Sequence, residues 1–439
     1  MGLFFGTDGL RGIANEDLSF ELAYKCGNAL SSVKQNPLVV IGRDTRISGD
    51  YFTLAVAGGV MSGGGSAVDL GVIPTAGVAY LVRELGADFG VVISASHNPR
   101  EYNGIKVFGP DGYKLSDKQE ERLERHFIHT KVNDFPDIGR FRSEPNYIKK
   151  YEKFLTDSSK APLDGLTVVL DTANGAACRI APAVFRRLGA SVVASNSSDD
   201  GMKINDSCGA LYPETLVARM HRYKADIGFA FDGDADRLIT VDKNGRVFDG
   251  DMLIYMLSKY FKEQGRLKDN TVVGTSHTNM AIEHALAREG ISFIRTDIGD
   301  KYVLMKLVER ELTLGGEQSG HIIIKDLHTT GDGILTAIAV ANMLIDKKKT
   351  LSELFDISLY PQTNINIAVD DKLKVINSQL LSERVSVLQR RLGNDGRIMV
   401  RASGTEPKIR IMVEGRSAKQ NEEYAKELED IVRKANDLI

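Results

Sequence analysis

Cysteine, long apolar stretches and an excess of one charge are all scarce in this sequence. Its 439 residues include only three widely spaced cysteines, Cys26, Cys178 and Cys208, which argues against a disulfide framework or a zinc site. No apolar stretch approaches the roughly 20 residues needed to span a bilayer. The formal net charge of −3 implies no broad basic surface for nucleic acid. The chain start lacks a basic segment followed by an apolar one, so we expect a cytoplasmic protein.

Short β-branched runs alternate with amphipathic segments of helix length. A chain of this length exceeds one core of about 100–150 residues, so we expect three or four domains. Five runs predict buried parallel strands: LVVIG (38–42), FGVVIS (89–94), LTVVLD (166–171), IGFAF (227–231) and TVVG (271–274). This alternation predicts α/β layers, with functional loops at the carboxyl ends of the strands.

A loose internal repeat groups these runs. A strand and turn open each repeat, at LVVIGRDTR, LTVVLDTANGAA and TVVGTSHTNMA. Some tens of residues later, each repeat has a strand that ends in a polar, glycine-rich loop: GVVISASHNP, GFAFDGDADR and LTLGGEQSGH. We interpret this as three related α/β domains that each contribute one loop to a shared site.

The C-terminal part follows a different pattern. NINIAV (364–369), RIMV (397–400) and KIRIMV (408–413) alternate around helical segments, which predicts a small α+β domain with a mostly antiparallel sheet. YPQTN (360–364) is the predicted linker. The predicted fold is therefore three related α/β domains with mixed, largely parallel sheets plus a smaller C-terminal α+β domain. The expected boundaries are residues 1–150, 151–250, 251–362 and 363–439.

The segment DGDADR places Asp232, Asp234 and Asp236 directly after a buried strand. Two unit charges about 4 Å apart repel by roughly 4 kcal/mol at an effective dielectric constant near 20. An EF-hand is excluded, because Arg237 and Lys243 stand where that loop needs glycine and glutamate. A solvated acidic turn is the alternative, but the position at the end of a strand favours a site for a hard cation such as Mg²⁺, completed by phosphate.

SASHNP also follows a predicted strand and offers a carrier for that phosphate. Ser96 at this turn can serve as a nucleophile or carry a phosphoryl group, beside His97. The alternative is an ordinary turn serine. Lys106, in the following NGIK, can balance phosphate charge.

Three further segments contribute polar groups. GEQSGH offers Glu317, Ser319 and His321, which suit hydrogen bonding to a sugar. Arg11 lies in another glycine-rich turn, FGTDGLRG. RASGTEPKIR combines arginine side chains with backbone N–H groups in a turn between strands, which predicts a phosphate clamp. The residues of this clamp are Arg401, Ser403, Gly404, Thr405 and Arg410.

Nearly the whole chain resembles the α-D-phosphohexomutase superfamily. Five ordered segments carry this resemblance: FGTDGLRG, ISASHNP, FDGDADR, GGEQSGH and RASGTEP. It implies that Ser96 is a phosphoserine and that its phosphate, Asp232, Asp234 and Asp236 hold one Mg²⁺ ion. It also implies that the GEQSGH loop contacts the sugar and that the C-terminal domain binds the phosphate that is not transferred.

The resemblance implies an isomerase that interconverts glucosamine 6-phosphate and glucosamine 1-phosphate through a 1,6-bisphosphate, on the route to UDP-N-acetylglucosamine. Lys106, His97 and Arg11 are the implied candidates for proton transfer, and Arg237 and Lys106 for charge neutralisation. The expected partner is a small sugar phosphate, with no nucleic acid or membrane, and the chain is expected to be a monomer or homodimer.

Other functions compete with this one. A phosphomannomutase or phosphoglucomutase would use the same framework, and a sugar-phosphate sensor without activity is a further alternative. A haloacid dehalogenase-type phosphatase would leave SASHNP unexplained. The chain departs from the family pattern at Ala402, where proline is usual, and at TSHTNM (275–280).

Overall fold

The computed structural model describes residues 9–129, 137–403 and 406–438. The chain forms two compact units. The first unit comprises Met1–His277 and Gly290–Phe355, and it contains three sheets. The second comprises Thr278–Glu289 and Asp356–Ile439, and it contains one sheet.

The first sheet has the strand order β1-β5-β4-β2-β3-β6. Strands β2, β3, β4 and β6 are parallel, whereas β1 and β5 run antiparallel to their neighbours. In chain order the elements are β1 (Leu10–Ile13), α1 (Phe20–Val33), β2 (Leu38–Arg43), α2 (Ser48–Ser62), β3 (Ser66–Val72), α3 (Thr75–Glu84), β4 (Phe89–Ile93), β5 (Tyr102–Phe108), α4 (Asp117–His129) and β6 (Phe141–Ser143).

The second sheet has the order β11-β10-β9-β7-β8, and helix α5 (Ile148–Asp157) precedes it. Its elements are β7 (Thr167–Asp171), α6 (Ile180–Arg187), β8 (Ser191–Ser195), α7 (Pro213–Tyr223), β9 (Ile227–Phe231), β10 (Leu238–Asp242) and β11 (Val247–Phe248).

The third sheet has the order β13-β12-β14-β15. The elements of this part of the chain are α8 (Gly250–Glu263), β12 (Thr271–Thr275), α9 (Met280–Arg288), β13 (Ser292–Thr296), α10 (Asp300–Glu309), β14 (Leu314–Gly316), β15 (Ile322–Ile324), α11 (Gly333–Lys347) and α12 (Leu351–Leu354).

The three sheets share one local topology. In each, a first strand (β2, β7 or β12) lies parallel to two others (β3 and β4, β8 and β9, β13 and β14). An antiparallel strand (β5, β10 or β15) then follows. The expected functional loops all lie at the same place, between the last parallel strand and the antiparallel one. The predicted repeat therefore corresponds to a repeated arrangement of strands, and the predicted fold class is confirmed.

The second unit has an antiparallel sheet of order β16-β18-β17, covered by helices. Its apolar core joins alternate residues of these strands to the buried faces of α14 and α15. The elements are β16 (Gln362–Ala368), α13 (Lys372–Ile376), α14 (Gln379–Leu392), β17 (Gly396–Ala402), β18 (Lys408–Gly415) and α15 (Ala418–Asp437).

Hydrogen-bonding side chains fix where many helices begin. The side chains of eight residues, among them Asn279, Thr350 and Asp371, accept a backbone N–H from the first turn of a described α-helix. They satisfy donors that the helix itself cannot. The other five cap longer helices. These residues are Ser19, Asp249, Asp332, Ser378 and Ser417. Among the described residues, no helix has a stretch long and apolar enough to cross a membrane.

The segment 360–364, predicted to be a linker, lies within the second unit. Tyr360 exchanges two backbone hydrogen bonds with the side chain of Asn279, and the carbonyl of Pro361 accepts one from Asn421. Residues 278–289 are joined to the same unit by Glu414, which is fully buried. Its carboxylate accepts from Arg397 Nε at 2.7 Å and from Met280 N at 2.6 Å.

We expect Glu414→Leu to open this part of the second unit, because the largely buried guanidinium of Arg397 then loses its fully buried carboxylate partner. Breaking a buried pair on one side costs about 3–5 kcal/mol. Hydrogen exchange of residues 396–415, followed by mass spectrometry, measures the change. The control Glu429→Leu removes the partner of the exposed Arg433 and should cost less than about 1 kcal/mol. Equal protection in the two variants would show that Glu414 does not hold the unit together.

Candidate active site

The three aspartates of DGDADR lie in the β9–β10 loop and are almost completely buried. One carboxylate oxygen from each lies within 4.8 Å of the others. Burial and the neighbouring Asp236 and Asp234 raise the pKa of Asp232 to about 8. Crowded buried carboxylates must take up a proton or share a cation, and the raised pKa has that cause.

Two positive side chains offset part of this charge. Lys106 on β5 is buried and its Nζ lies 2.9 Å from Asp234 Oδ2 and 3.7 Å from Asp236 Oδ2. The guanidinium of Arg237 lies near Asp236, with Nε 3.9 Å from Asp236 Oδ1, and the Arg237 backbone N–H donates to Asp232 Oδ1 at 3.2 Å. Burial acts to raise the pKa of Asp236, but His321 and Lys106 outweigh it and hold that pKa well below its usual range.

Ser96 lies in the β4–β5 loop and meets the aspartates directly. Its Oγ donates to Asp232 Oδ2 at 2.6 Å, although 136 residues separate the two in the chain. The Cβ of a larger residue at Gly233 would lie 2.5 Å from Ser96 O, so only glycine lets the two loops approach this closely. The predicted juxtaposition of hydroxyl and acidic loop is thus present in the first unit.

His97 lies next to the same serine, and Arg11 is close enough to His97 to affect its pKa. His97 Nδ1 is 3.4 Å from Ser96 Oγ. Burial, with Arg237 and Arg11, lowers the pKa of His97 to about 4, so its imidazole is neutral near pH 7. Arg11 lies on β1, opposite Gly104 of β5.

The GEQSGH loop joins β14 to β15 and contacts the aspartate loop through its backbone. Leu238 N donates to Gly320 O at 3.0 Å, and the backbones of Arg237 and His321 form an isolated antiparallel β-bridge. Gly320 has φ +93°, and a Cβ there would lie 2.3 Å from Leu238 O. The position therefore requires glycine both for its conformation and for the close approach.

The side chains of this loop differ in their exposure. Ser319 is exposed, whereas Glu317 is half-buried and accepts from Gly299 N at 2.9 Å. His321 is buried, with Nδ1 at 3.5 Å from Asp236 Oδ2 and Nε2 at 3.7 Å from Asp300 Oδ2. Burial alone would lower the pKa of His321, but Asp236 and Asp300 raise it. The imidazole thus contacts two carboxylates of the chain.

The expected phosphate clamp lies in the second unit. Arg401 on β17 and Arg410 on β18 are directly opposite each other, and like charges in such a pair repel unless an anion lies nearby. Arg410 donates to Glu406 at 3.1 Å, and buried Ser403 donates its N–H to Lys408 O. Gly404 and Thr405 lie outside the described residues.

Several residues at these sites escaped the sequence analysis. Thr75, at the start of α3, donates to Asp234 Oδ2 at 2.6 Å, and Lys372 Nζ donates to Ser403 O at 2.7 Å. Asp44, Arg46 and Asn205 contact the serine loop. The GRDTR turn follows a predicted strand, which was the available signal for Asp44 and Arg46. A lone threonine or asparagine in a turn carries no such signal.

The triad fits a hard divalent cation. Asp234 Oδ1 and Asp236 Oδ1 are buried and, among the described residues, have no hydrogen-bond partner. Buried carboxylate oxygens without partners are costly, and an oxygen-only donor set is typical of Mg²⁺ or Ca²⁺. The burial, spacing and donor atoms of the cluster therefore fit a divalent-cation site.

Family models match the chain in four consecutive segments, all described as phosphoglucomutase/phosphomannomutase. Residues 2–133 match alpha/beta/alpha domain I, 145–245 domain II, 249–360 domain III and 365–431 the C-terminal domain.

Relatives of similar length match across the chain. Phosphoglucosamine mutase of Carboxydothermus hydrogenoformans is 44% identical over 445 residues, covering 99% of this chain and 100% of the relative. Phosphoglucosamine mutase of Bacillus subtilis is 44% identical over 443 residues, covering 99% of each.

Solved structures share the fold. A phosphoglucomutase/phosphomannomutase family protein from Burkholderia thailandensis has a TM-score of 0.84 at 23% identity, covering 98% of this chain and 97% of that one. Aspergillus fumigatus N-acetylphosphoglucosamine mutase, in complex with GlcNAc-6P and magnesium, has a TM-score of 0.71 at 18% identity, covering 99% and 95%.

Asp234→Asn should weaken divalent-cation binding by at least about tenfold, because the site loses one charged ligand. At a Mg²⁺ concentration 100 times Kd, binding to the native chain should raise its free energy of unfolding by about 2.7 kcal/mol. Thermal unfolding in a Mg²⁺ titration detects this change. Asp326→Asn, at an exposed pair with Arg266, is the control and should respond like the parent chain. Equal Mg²⁺ stabilisation of the Asp234→Asn and parent chains would contradict the assignment.

Proposed function

The chain belongs to the phosphoglucomutase/phosphomannomutase family, and we propose that it interconverts glucosamine 6-phosphate and glucosamine 1-phosphate. The observation that carries this proposal is the 2.6 Å contact between Ser96 Oγ and Asp232, which joins a buried hydroxyl to the metal site. The sugar is proposed from the two phosphoglucosamine mutases that are 44% identical over 99% of this chain. The product would lie on the route to UDP-N-acetylglucosamine.

The proposed reaction has two phosphoryl transfers. In the first, the bond between phosphorus and Ser96 Oγ breaks as the sugar O1 bonds to phosphorus, giving glucosamine 1,6-bisphosphate. O1 loses a proton and Ser96 Oγ gains one. In the second, the bond from O6 to phosphorus breaks as Ser96 Oγ bonds to phosphorus. Ser96 Oγ loses its proton and O6 gains one, so the serine is phosphorylated again and glucosamine 1-phosphate is released.

Electrostatic stabilisation is the proposed source of catalysis. We propose that Asp232, Asp234, Asp236 and the Ser96 phosphate hold one Mg²⁺, which supplies positive charge to the phosphoryl oxygens when bound. Lys106, paired with Asp234, and Arg237, paired with Asp236, add fixed positive charge at the same loop. Arg11 and neutral His97 lie on the serine side, where charge neutralisation and proton transfer take place in this proposal.

The remaining loops supply substrate binding in this proposal. Glu317 and Ser319 are the sugar-contacting side chains, since both are at least partly accessible. We also propose His321 as a substrate contact, although it is buried between Asp236 and Asp300. Arg401, Ser403, Gly404, Thr405 and Arg410 form the proposed site for the phosphate that is not transferred. We also propose a cytoplasmic enzyme that is a monomer or homodimer.

Ser96→Ala should abolish mutase turnover while the chain stays folded, because the phosphoryl carrier is gone. Mass spectrometry of the unaltered chain should find a fraction that is one phosphate heavier, with the phosphate on residues 94–98.

Assays with glucosamine, mannose and glucose phosphates, each with a trace of the matching bisphosphate, identify the sugar. Full activity of Ser96→Ala would refute a covalent mechanism, and preference for glucose or mannose phosphate would refute the assigned sugar.

Arg410→Ala should raise KM for the sugar monophosphate about tenfold or more and increase the release of free bisphosphate, because a charge-assisted contact to the idle phosphate is lost. The control Arg433→Ala removes an exposed arginine of α15 and should leave KM unchanged. Identical KM values for Arg410→Ala and the parent enzyme would place the phosphate elsewhere.

A further inference from the structure

The guanidinium of Arg46 is buried behind the serine loop, and all five of its N–H donors are engaged. Nε donates to Asp44 Oδ2 at 3.0 Å. Nη1 donates to the carbonyl oxygens of Pro99 and Tyr102, and Nη2 to those of Ser96 and Asn98, at 3.0 and 2.8 Å. The Arg46 and Asp44 side chains have no exposed surface. Since arginine has five donors, none remains to bind a phosphate.

The same network also fixes the N–H of Ser96. Asp44 Oδ2 accepts from Ser94 Oγ at 2.5 Å, and Ser94 Oγ accepts from Ser96 N at 2.9 Å. Asp44 therefore links Arg46 to the amide of the serine, while Arg46 itself binds the carbonyl. Both backbone polar groups of Ser96 are thus held by buried side chains.

A second donor reaches the same carbonyls from the region between β8 and α7. Asn205 Nδ2 donates to Ser96 O at 2.8 Å and to Asn98 O at 3.0 Å. The carbonyl oxygens of Ser96 and Asn98 therefore each accept one hydrogen bond from Arg46 and one from Asn205. These donors belong to the regions of the first and second sheets.

This arrangement holds Ser96 in an unusual backbone conformation. Its φ is +51°, in the left-handed region that residues other than glycine seldom adopt. Strained backbone of this kind persists only where surrounding contacts determine it. With N–H and C=O both fixed, the side chain leaves the loop toward Asp232, where Oγ makes its 2.6 Å contact.

We infer that Arg46 and Asn205 are positioning residues for phosphoryl transfer: they clamp the carbonyl oxygens of Ser96 and Asn98 so that Ser96 Oγ stays directed at the aspartates. The inference rests on the proposed function, because it concerns the same serine. Both side chains bind the backbone of the serine loop and not Ser96 Oγ. Lysine cannot replace Arg46, since its ammonium offers three donors in place of a planar set of five.

The test compares Arg46→Lys and Asn205→Ala with the parent enzyme. Arg46→Lys should lower kcat about 100-fold, the size expected for a misplacement near 1 Å, with KM within about threefold. Asn205→Ala should lower kcat about tenfold, because Arg46 still holds both carbonyls. The transfer rate from phosphorylated enzyme to sugar phosphate in a single turnover should fall by the same factors. Arg43→Lys, which changes an arginine of β2 paired with Asp69, is the control and should keep the parent rate.

Hydrogen exchange of residues 94–102 provides a readout that needs no activity. Both variants should exchange faster there than the parent and Arg43→Lys. Unchanged exchange in both would overturn the clamp, whichever sugar the enzyme uses. Faster exchange with kcat unchanged would overturn the positioning role. If Arg46→Lys does not fold, Asn205→Ala serves as the test on its own. Asn205 is only half-buried, so its replacement by alanine should leave the chain folded. An inactive, unphosphorylated parent enzyme would instead refute the proposed function.

Discussion

The crowding of three buried carboxylates around one serine hydroxyl is the constraint on which this site depends. Asp232, Asp234 and Asp236 cannot all stay ionised in a buried loop without compensation, and the raised pKa of Asp232 reflects that cost. Lys106 and Thr75 each contact Asp234, from a strand and a helix start of the first sheet region. The groups that offset the carboxylate charge come from different segments of the chain. The geometry of the aspartate cluster therefore depends on the relative positions of those segments.

The repeated topology explains how the loops meet. In each of the three sheets the functional loop connects the last parallel strand to an antiparallel one, so the same structural position is used for three different tasks. The first loop carries Ser96, the second carries the aspartates, and the third contacts the second through Gly320 and Leu238. Glycines at 233 and 320 permit the close backbone approach, because any Cβ there would meet a neighbouring carbonyl oxygen.

Much of this was predictable from sequence because the signal was local. A β-branched run followed by DGDADR or SASHNP identifies a strand and the polar loop at its end, and the structure places both loops together. The RDTR turn was less informative, because an arginine in a polar turn is expected at the surface. Only the tertiary fold buries Arg46 against four carbonyl oxygens. The four domain boundaries and the roles of the site residues stay predictions.

In the proposed function, a divalent cation binds the three aspartates next to a phosphate on Ser96. Phosphorus-31 NMR of the phosphorylated enzyme, titrated with Mn²⁺ as a paramagnetic substitute for Mg²⁺, measures whether the two lie together. We predict one phosphoserine resonance that broadens strongly by one equivalent of Mn²⁺ in the parent enzyme and far less in Asp234→Asn. A resonance that stays sharp while the parent enzyme binds Mn²⁺, or that maps to another residue, would contradict it.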